Sequence, residues 1–422
     1  SMKIAIVHPS LATKGGAENV VVWLAEELAR RDHAVTVFTT DYDEQFYGRR
    51  SDRPFAIETL DLGGYVYDPI RFLQAGWRLR NRLTDFDCVN PHNFPAYVWA
   101  RIARAANPRV GPIVWFCEEP VRWFYPEVSN PHILRMFPRE EPAHGSLAAA
   151  IRRVRYWRRE WKWEVARVLD RWAVPGIDLI LANSEFIAGQ VRAIFGVEAR
   201  ACLLGIPLRR FTTAPAATKT GGPPATYALT VSRLFPEKNV GTILRALRLL
   251  LDRGRLPFDR YVVAGDGPMR ESLEEQARGM GLEHVVEFAG FVSEAHLARL
   301  YEGASLVIYL PLDETYGLVF PEAALFRKAV IGPNHGGPSE IVRHGVTGFQ
   351  VDPTDPALVA ATIESCFREP GLLRQLGEAA HAYVTAKLSF PRFVDRFEAE
   401  LRRRFRPDHA LKRDGVAAEQ RP

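Results

Sequence analysis

The chain has 422 residues, of which 47% are hydrophobic and 25% are charged, and its formal net charge is +5. This length exceeds what one hydrophobic core organises, so we expect at least two domains, and the small positive charge is not that of a dedicated nucleic-acid-binding protein. The four cysteines are far apart in the sequence and lack metal-ligand spacing, which argues against a zinc site and a disulfide scaffold and is typical of a reducing cytosol. We therefore expect no metal in the site and no nucleic-acid partner.

The first half of the chain is predicted to be an α/β domain. Residues 3–8, KIAIVH, have the uniformly apolar pattern of a buried strand, and the glycine loop ATKGGAEN separates them from a helix with apolar residues at helical spacing. A second strand, HAVTVFTT, completes a βαβ unit and implies a parallel sheet. Further strands at DCVNPH, GPIVWFCEE and DLILANS extend the pattern, so residues 1–206 are predicted to form a Rossmann-like domain.

A second α/β array follows a change in composition. Residues 207–224 are rich in Pro, Gly and Thr without periodicity, which predicts a linker, and residues 225–385 again alternate strands with helical segments. We expect a C-terminal helix at 386–406 that crosses back to the first domain, and a flexible tail at 407–422. The predicted fold is thus α/β, with two Rossmann-like domains facing across a central cleft, and ligands should bind at the loops that follow the strands.

Glycines and cations occupy two of these loops. Gly15 and Gly16 stand between the first strand and its helix, where the backbone could approach a phosphate, although a plain turn explains the two glycines equally well. Arg233 and Lys238 lie five residues apart after the first strand of the second array, where they could neutralise a diphosphate. Taken alone, this pair is better explained as two solvated surface cations.

Two more loops of the second array carry weaker signals. Gly265, in AGDGP, belongs to a strong turn motif that we expect to be structural, although the turn could also line the cleft. Phe291 and Val292, in AGFV, could pack on a flat base, and a turn with core packing is an equal alternative.

Two glutamates eight residues apart, in the stretch DETYGLVFPEAALF, suggest a ligand clamp. Glu314 follows a predicted buried strand, and Glu322 lies about one turn into a helix predicted to begin near Gly317. The free amides of Gly317, Leu318 and Val319 would then point into the cleft and could bind an anion between the two carboxylates. One carboxylate could bind sugar hydroxyls and the other could bind ribose hydroxyls. The alternative is an ordinary loop acid and an ordinary helix acid, both solvated.

Together the motifs resemble the retaining glycosyltransferases of family 4, which have the GT-B fold. The resemblance rests on the E-x7-E spacing, on YGLVFPEAALFRKAVIGPNHGGPSEIVRHGVTGFQVDP, on TVSRLFPEKNV, AGDGP and FAGFVSEAHLARLYEGASLVIYLP in the same order, and on the N-terminal GGAE. It covers nearly the whole chain, and the most similar subgroup is that of bacterial mannosyltransferases of O-antigen and exopolysaccharide synthesis.

The resemblance implies a role for each matched residue. Arg233 and Lys238 would contact the donor diphosphate, Glu314 would act as the acid beside the transferred sugar, and Glu322 would bind the donor ribose. The remaining donor contacts that the resemblance implies are Gly15, Gly16, Gly265, Phe291, Val292, Tyr316, Gly317, Leu318 and Val319. Enzymes of this type usually need no metal, because cationic side chains and a helix N-terminus stabilise the departing nucleotide diphosphate.

One position departs from the family pattern. The family often has YCHxPxR after the strand that matches PIVWFC, whereas this chain has FCEEPVR, so Glu118 stands where the family has a histidine near the donor sugar. A carboxylate there could accept hydroxyl hydrogen bonds, change the choice of donor or acceptor, or reduce activity. His92, at the end of the preceding strand, could partly substitute for the missing imidazole, although a lone histidine at a strand end is more often structural.

Residues 151–172, IRRVRYWRREWKWEVARVLDRW, are predicted to form a basic, tryptophan-rich helix. Its apolar residues recur at steps of three and four and make one face, which includes Trp161, Val168 and Trp172. This face could pack on the domain core, or it could lie in an anionic lipid surface. A third possibility is that the basic half binds an acceptor diphosphate.

The resemblance predicts a retaining hexosyltransferase without a cofactor. The expected donor is GDP-mannose, with a UDP-sugar as the second choice, and the expected acceptor is a saccharide or a polyprenyl-diphosphate-linked saccharide. We expect a cytoplasmic protein that contacts the inner face of the plasma membrane peripherally. A nucleotide-sugar epimerase of the same fold and a catalytically weakened partner subunit are the two alternatives.

Overall fold

The computed structural model describes residues 1–13, 15–65, 67–125, 128, 161–209, 211 and 226–405. These residues form two compact units, the first within 1–124, 161–203 and 390–405 and the second within 125–128, 204–211 and 226–389. Each unit is an α/β unit with parallel strands, which confirms the predicted fold class of two Rossmann-like domains. The predicted tail at 407–422 and most of the predicted linker at 207–224 lie outside the described residues.

The first unit is built on parallel strands with the chain order of a doubly wound sheet. Its strands are β1 (Lys3–Val7), β2 (Ala34–Thr39), β3 (Ala56–Thr59), β4 (Cys88–Pro91), β5 (Val114–Cys117), β6 (Leu179–Ala182) and β7 (Arg200–Ala201). They pair in the orders β3-β2-β1-β4 and β5-β6-β7, and a bridge between Val89 and Ile113 joins the two sets. The strand order therefore reverses between β1 and β4, where such sheets bind ligands.

Helices cover this first sheet. They are α1 (Gly16–Arg30), α2 (Glu44–Tyr47), α3 (Pro69–Leu79), α4 (Ala96–Ala106), α5 (residues 161–173) and α6 (Glu185–Phe195). The start of α3 is set by Asp68, whose side chain accepts a hydrogen bond from the amide of Ile70, and by Pro69 in the first turn. The first ten residues of the predicted helix at 151–172 lie outside the described residues.

The second unit has one parallel sheet of the same kind. Its strands are β8 (Tyr227–Val231), β9 (Arg260–Ala264), β10 (Val286–Gly290), β11 (Leu306–Ile308), β12 (Val330–Pro333) and β13 (Gly348–Val351), in the order β10-β9-β8-β11-β12-β13. Its helices are α7 (Val240–Asp252), α8 (Arg270–Gly279), α9 (Glu294–Gly303), α10 (Val319–Leu325), α11 (Pro338–Ile341), α12 (Pro356–Arg368) and α13 (Leu372–Lys387). Here the order reverses between β8 and β11, so the loops after these two strands are the expected site.

The last described helix, α14 (Phe390–Phe405), belongs to the first unit. The ring of Phe390 packs edge-on against Trp23 of α1, with 5.7 Å between the ring centroids. The predicted helix at 386–406 thus begins later than expected, because Lys387 still ends α13. Ile206, which the sequence analysis assigned to the first domain, lies in the second unit, where it pairs with Ser389.

Candidate active site

Lys238 and Glu314 form an ion pair where the strand order of the second sheet reverses. Lys238 ends a short turn after β8, Glu314 follows β11, and the Lys238 Nζ lies 2.9 Å from the Glu314 Oε2. Tyr309, at the end of β11, donates its hydroxyl to the same carboxylate oxygen at 2.5 Å. Only 14% and 16% of the Lys238 and Glu314 side chains are exposed, so the pair is largely shielded from water. The structure therefore brings together two residues that the sequence analysis placed in separate motifs.

The electrostatics of this cluster keep Lys238 charged. Burial opposes the charge, yet the Glu314 carboxylate and the Tyr309 hydroxyl outweigh it and raise the pKa of Lys238 above its ordinary value. Burial, reinforced by Glu314, also raises the pKa of Tyr309, which keeps the phenol protonated as a donor. An ammonium group has three N–H donors, so Lys238 can bind Glu314 and still donate to an anionic ligand.

Neighbouring backbone fixes the loop that carries Glu314. The Leu312 amide donates to the carbonyl of Glu237 at 2.8 Å, and the Gly337 amide donates to the carbonyl of Glu314 at 3.2 Å. A Cβ at Gly337 would lie 1.8 Å from the Thr315 carbonyl oxygen, so only glycine permits this close packing. The carboxylate of Glu314 is consequently held on a braced loop, as a preorganised site requires.

Arg233 and Gly265 lie in adjoining loops of the same sheet edge. Arg233 is exposed, and its guanidinium carbon lies 5.4 Å from the centroid of the Phe235 ring. Gly265 has a φ of +135°, and its amide donates to the Gly290 carbonyl at 2.8 Å. A Cβ there would lie 1.8 Å from the Ser232 carbonyl oxygen. Gly265 therefore has a structural role in packing the Arg233 loop, and a contact with the donor stays a prediction.

Glu322 is a buried carboxylate on the short helix α10. Glu322 is only 5% exposed, and its Oε2 accepts a hydrogen bond from the Tyr301 hydroxyl at 2.9 Å. The helix begins at Val319, with Leu318 before it, and Gly317 has a φ of +85° that favours glycine. The start of the helix thus agrees with the predicted position to within two residues.

Three other predicted donor contacts have distinct surroundings. Tyr316 is buried, and its hydroxyl donates to the Leu204 carbonyl, so its side chain has a structural partner and only its backbone can serve a ligand. Phe291 is 85% exposed and Val292 is half-buried, so the Phe291 ring is available to an external partner. Their role beside a nucleobase stays a prediction.

A buried polar cluster lies at the corresponding edge of the first sheet. His92, after β4, has no exposed surface, and its Nε2 lies 3.0 Å from the Asn90 Oδ1 while its Nδ1 lies 3.3 Å from the Glu118 Oε1. The Asn90 amide nitrogen donates to the Val114 carbonyl at 2.6 Å, which fixes the orientation of the Asn90 side chain. The structure thus brings together Glu118 and His92, the two residues of the departure from the family pattern.

The hydrogen-bond directions in this cluster assign a proton to Glu118. Because the Asn90 oxygen faces His92, the His92 Nε2 must donate, and the Nδ1 of a neutral imidazole must then accept. Burial lowers the pKa of His92 to about 3, so the imidazole is neutral near pH 7. Burial and the neighbouring Glu119 raise the pKa of Glu118 well above its usual range. Near neutral pH, the hydrogen-bond geometry and the raised pKa of Glu118 both favour a carboxylic acid that donates to His92 over a carboxylate.

His8, a residue that the sequence analysis did not select, lies after β1 in the same unit. Its Nδ1 lies 2.9 Å from the Ser10 carbonyl oxygen and must carry the proton, since a carbonyl only accepts. Its Nε2 is buried without a hydrogen-bond partner among the described residues, and burial together with His92 lowers its pKa to about 3. Gly15 and Gly16 come at the start of α1, where Gly15 is the N-cap residue with an extended backbone.

The sequence analysis also missed Tyr309 and Tyr301, the partners of Glu314 and Glu322. Tyr309 is the polar end of the apolar run ASLVIYLP at the predicted switch point, and that position is a signal that could have identified it. Tyr301 is a helix residue twenty-one positions before Glu322, and no sequence pattern connects the two. Among the described residues there is no group of three or more His, Cys, Asp or Glu side chains suited to a metal ion.

Comparison with known proteins relates both units to one class of enzymes. The family model "Glycosyltransferase Family 4" matches residues 14–204, and the family model "Glycosyl transferases group 1" matches residues 220–383. The two matches follow the boundary between the two units. Each of the two units is thus similar to glycosyltransferases.

Individual relatives are consistent with this similarity. The chain is 28% identical over 398 residues to a D-inositol 3-phosphate glycosyltransferase of Streptomyces bingchenggensis, which covers 88% of this chain and 81% of that protein. It is 32% identical over 180 residues to the human alpha-1,3/1,6-mannosyltransferase ALG2, and 32% identical over 162 residues to an uncharacterized glycosyltransferase of Methanocaldococcus jannaschii. The last two matches span 42% and 41% of those relatives, that is, less than half of their length.

Solved structures share the fold of this chain. Crystal structures of HepE from Anabaena, in complex with UDP and glucose or with UDP-glucose, match with a TM-score of 0.69 and 19% identity, and they cover 95% of this chain and 99% of HepE. The sucrose-phosphate synthase of Thermosynechococcus elongatus matches with a TM-score of 0.70 and 17% identity over 96% of this chain and 99% of the synthase. At this level of identity the likeness establishes the GT-B fold.

Proposed function

We propose that the protein is a retaining, metal-independent glycosyltransferase that moves a hexose from a nucleotide-diphosphate sugar to a saccharide or a lipid-linked saccharide. The observation that carries the proposal is the largely shielded cluster of Lys238, Glu314 and Tyr309 at the point where the strand order of the second sheet reverses. It pairs a permanent cation, suited to a diphosphate, with a carboxylate, suited to sugar hydroxyls.

In this proposal the second unit binds the donor. Lys238 and the exposed Arg233 neutralise the charge that develops on the departing diphosphate, so no metal ion is needed for that step. Glu314 accepts hydrogen bonds from the transferred sugar, and Glu322, oriented by Tyr301, accepts them from the ribose. The acceptor hydroxyl attacks from the same face that the diphosphate leaves, so the anomeric configuration is retained.

The first unit would bind the acceptor. Gly15 and Gly16 would let the backbone of the first unit approach the diphosphate, and Glu118 and His92 would contribute polar groups beside the donor sugar. The single O–H of Glu118 is donated to His92, so toward a sugar Glu118 would act as a hydrogen-bond acceptor and not as the donor that an imidazole N–H would be. The departure from the family pattern therefore changes the hydrogen bonds offered at this position, and a catalytically weakened partner subunit stays an alternative.

The donor and the biological setting rest on similarity. Mannose from GDP-mannose is the first choice, supported by the name of the human mannosyltransferase relative, and a UDP-sugar is the second, supported by the UDP in the HepE structures. Synthesis of cell-surface polysaccharide would place a polyprenyl-diphosphate-linked acceptor at the inner face of the plasma membrane. The relatives and family models are glycosyltransferases, which disfavours the alternative of a nucleotide-sugar epimerase.

Alanine variants of the cluster test the proposal. We expect Glu314→Ala and Lys238→Ala each to lower turnover with a matched donor and acceptor by at least about tenfold, which corresponds to about 1.4 kcal/mol of transition-state stabilisation. Glu271→Ala and Lys387→Ala, which remove the same groups from exposed helix positions, serve as controls. Turnover at the wild-type level in both cluster variants would contradict the proposed roles, and conversion of the donor without an acceptor would identify an epimerase.

A further inference from the structure

The outer face of α3 is apolar although it is exposed. Ile70, Leu73 and Trp77 are 57%, 50% and 57% exposed, and their spacing of three and four residues places them on one side of the helix. The opposite side, with Phe72, Ala75, Gly76 and Leu79, is buried in the first unit. The helix therefore has two apolar faces, and only one of them packs on the core of the protein. We call the exposed face the α3 ridge.

A second exposed apolar face belongs to α5. Trp161, Val168 and Trp172 are 59%, 64% and 43% exposed, and they lie seven and four residues apart, two turns and one turn along the helix. The core side of α5 carries Ala166, Asp170 and Ala173, and the Asp170 carboxylate is bonded by the hydroxyl of Tyr97. The possibility that the predicted stripe packs on the domain core is thus wrong for these three residues. We call this face the α5 ridge.

Two contacts join the N-terminal ends of these helices. The Lys162 ammonium pairs with the Asp68 carboxylate, and the rings of Tyr67 and Trp163 lie 5.4 Å apart between centroids. Asp68 is two residues from Ile70, and Lys162 is adjacent to Trp161. The exposed apolar residues of the two ridges therefore begin next to a shared ion pair.

The surroundings of both ridges are strongly basic. Residues 67–82, 96–109 and 161–173, which form α3, α4 and α5 with their flanks, contain ten Lys or Arg and three Asp or Glu, a net charge of +7, whereas the whole chain has +5. Among the described residues, the guanidinium groups of Arg71, Arg78 and Arg80 bond to backbone carbonyl oxygens and form no ion pair. Arg78 and Arg80 thus keep their charge for an external anion, whereas Lys162, and more weakly Arg71, act on the Asp68 carboxylate and lower its pKa.

We propose that the two ridges bind an anionic lipid bilayer, with Ile70, Leu73, Trp77, Trp161, Val168 and Trp172 in the interfacial region and the arginines on lipid phosphates. Large exposed apolar groups beside unpaired cations match the chemistry of such a surface, and tryptophan favours the boundary between headgroups and acyl chains. The inference rests on the proposed function in one respect, because a lipid-linked acceptor requires the enzyme at a membrane. Among the described residues no helix has the length and hydropathy to cross a bilayer.

The test is co-sedimentation of the full chain with vesicles of phosphatidylcholine alone or mixed with phosphatidylglycerol. We expect binding to the anionic vesicles that weakens with salt, and little binding to the neutral ones. Ile70→Ser/Leu73→Ser/Trp77→Ser should lower the partition coefficient by about tenfold or more, since all three side chains leave the interface. Phe46→Ser/Val346→Ser/Leu358→Ser is the matched control, because these residues are 48%, 47% and 43% exposed elsewhere on the protein.

Three results would overturn the proposal. The first is equal vesicle binding by wild type and the α3-ridge variant, and the second is an equal loss of vesicle binding in the matched control. The third is a wild-type dimer that becomes a monomer in the α3-ridge variant, which would identify a second copy of the chain as the occupant of the ridge. Nucleotide binding by the α3-ridge variant, measured by thermal shift, separates this inference from the proposed function. A protein that binds a nucleotide but no vesicle contradicts only the membrane surface, whereas one that binds vesicles but no nucleotide contradicts only the glycosyltransferase.

Discussion

The proton assigned to Glu118 predicts a specific pH dependence of stability. The pKa of Glu118 is higher in the folded protein than in the unfolded chain, so folding takes up a proton between the two pKa values. The contribution of Glu118 to stability is therefore complete below the unfolded pKa and is lost as the pH rises toward the folded pKa. Glu118→Gln replaces the carboxylic acid with an amide of similar shape that also donates to the His92 Nδ1, and it does not titrate.

The magnitude follows from the linkage relation. A titrating group contributes up to about 1.4 kcal/mol per pH unit between its two pKa values. Relative to wild type, the free energy of unfolding of the Glu118→Gln variant should therefore rise between about pH 5.5 and about pH 7.5, by on the order of 1–3 kcal/mol. Glu118→Ala should lose stability at both pH values, because it leaves the His92 Nδ1 without a donor.

Tryptophan fluorescence during urea unfolding measures this difference in the relevant unit. The second unit contains no tryptophan, so tryptophan emission does not report on that unit, whereas described tryptophans such as Trp99 and Trp115 are buried in the first unit. Glu164→Gln, at an exposed position of the first unit, controls for the change in net charge. If the stability difference between wild type and the Glu118→Gln variant stays constant with pH, or if wild type gains with rising pH, Glu118 is ionised in the folded state and the assignment is wrong.

Two further predictions concern the second unit, and circular dichroism suits both because that unit lacks tryptophan. Gly265→Ala should lower the free energy of unfolding by at least about 2 kcal/mol, because the new Cβ meets a backbone carbonyl oxygen. Gly254→Ala is the control, since Gly254 has a φ of +61° with open space around it, and it should lower the free energy of unfolding by about 1 kcal/mol. Equal losses in the two variants would contradict the packing role of Gly265. Tyr301→Phe should lower the free energy of unfolding of this unit by about 1.5–3 kcal/mol, because the hydrogen bond to Glu322 is lost, and it should weaken nucleotide binding. Unchanged nucleotide binding would contradict a role for Glu322 in the donor site.

Sequence periodicity is sufficient to predict the fold class, because the strands alternate with helices at regular intervals. The runs KIAIVH and ASLVIYLP mark β1 and β11, and their order in the chain implies a doubly wound sheet with its reversal at these strands. The same logic placed Lys238 and Glu314 at one sheet edge, although their ion pair could only come from the structure. Tertiary contacts such as those of Tyr309 and Tyr301 leave no trace in local sequence patterns.

The orientation of α5 shows the limit of periodicity in another way. Steps of three and four identify an apolar face through Trp161, Val168 and Trp172, but they do not say what that face meets. In the structure a second side, with the small Ala166 and Ala173, packs on the core, because small residues permit closer approach than tryptophan. Similarly, the sequence showed a glutamate at position 118, and only burial against His92 and Asn90 shows which protonation state it has.

Binding of a nucleoside diphosphate to the second unit is the central claim, and a thermal-shift series with GDP, UDP and ADP, with a chelator present, tests it most directly. A ligand at one hundred times its Kd stabilises the folded state by about 2.7 kcal/mol, so one of the three should raise the melting temperature clearly. Lys238→Ala should clearly diminish the shift, because it removes the largely shielded cation of the cluster. No shift with any of the three at millimolar concentration, or an undiminished shift in Lys238→Ala, would contradict the account.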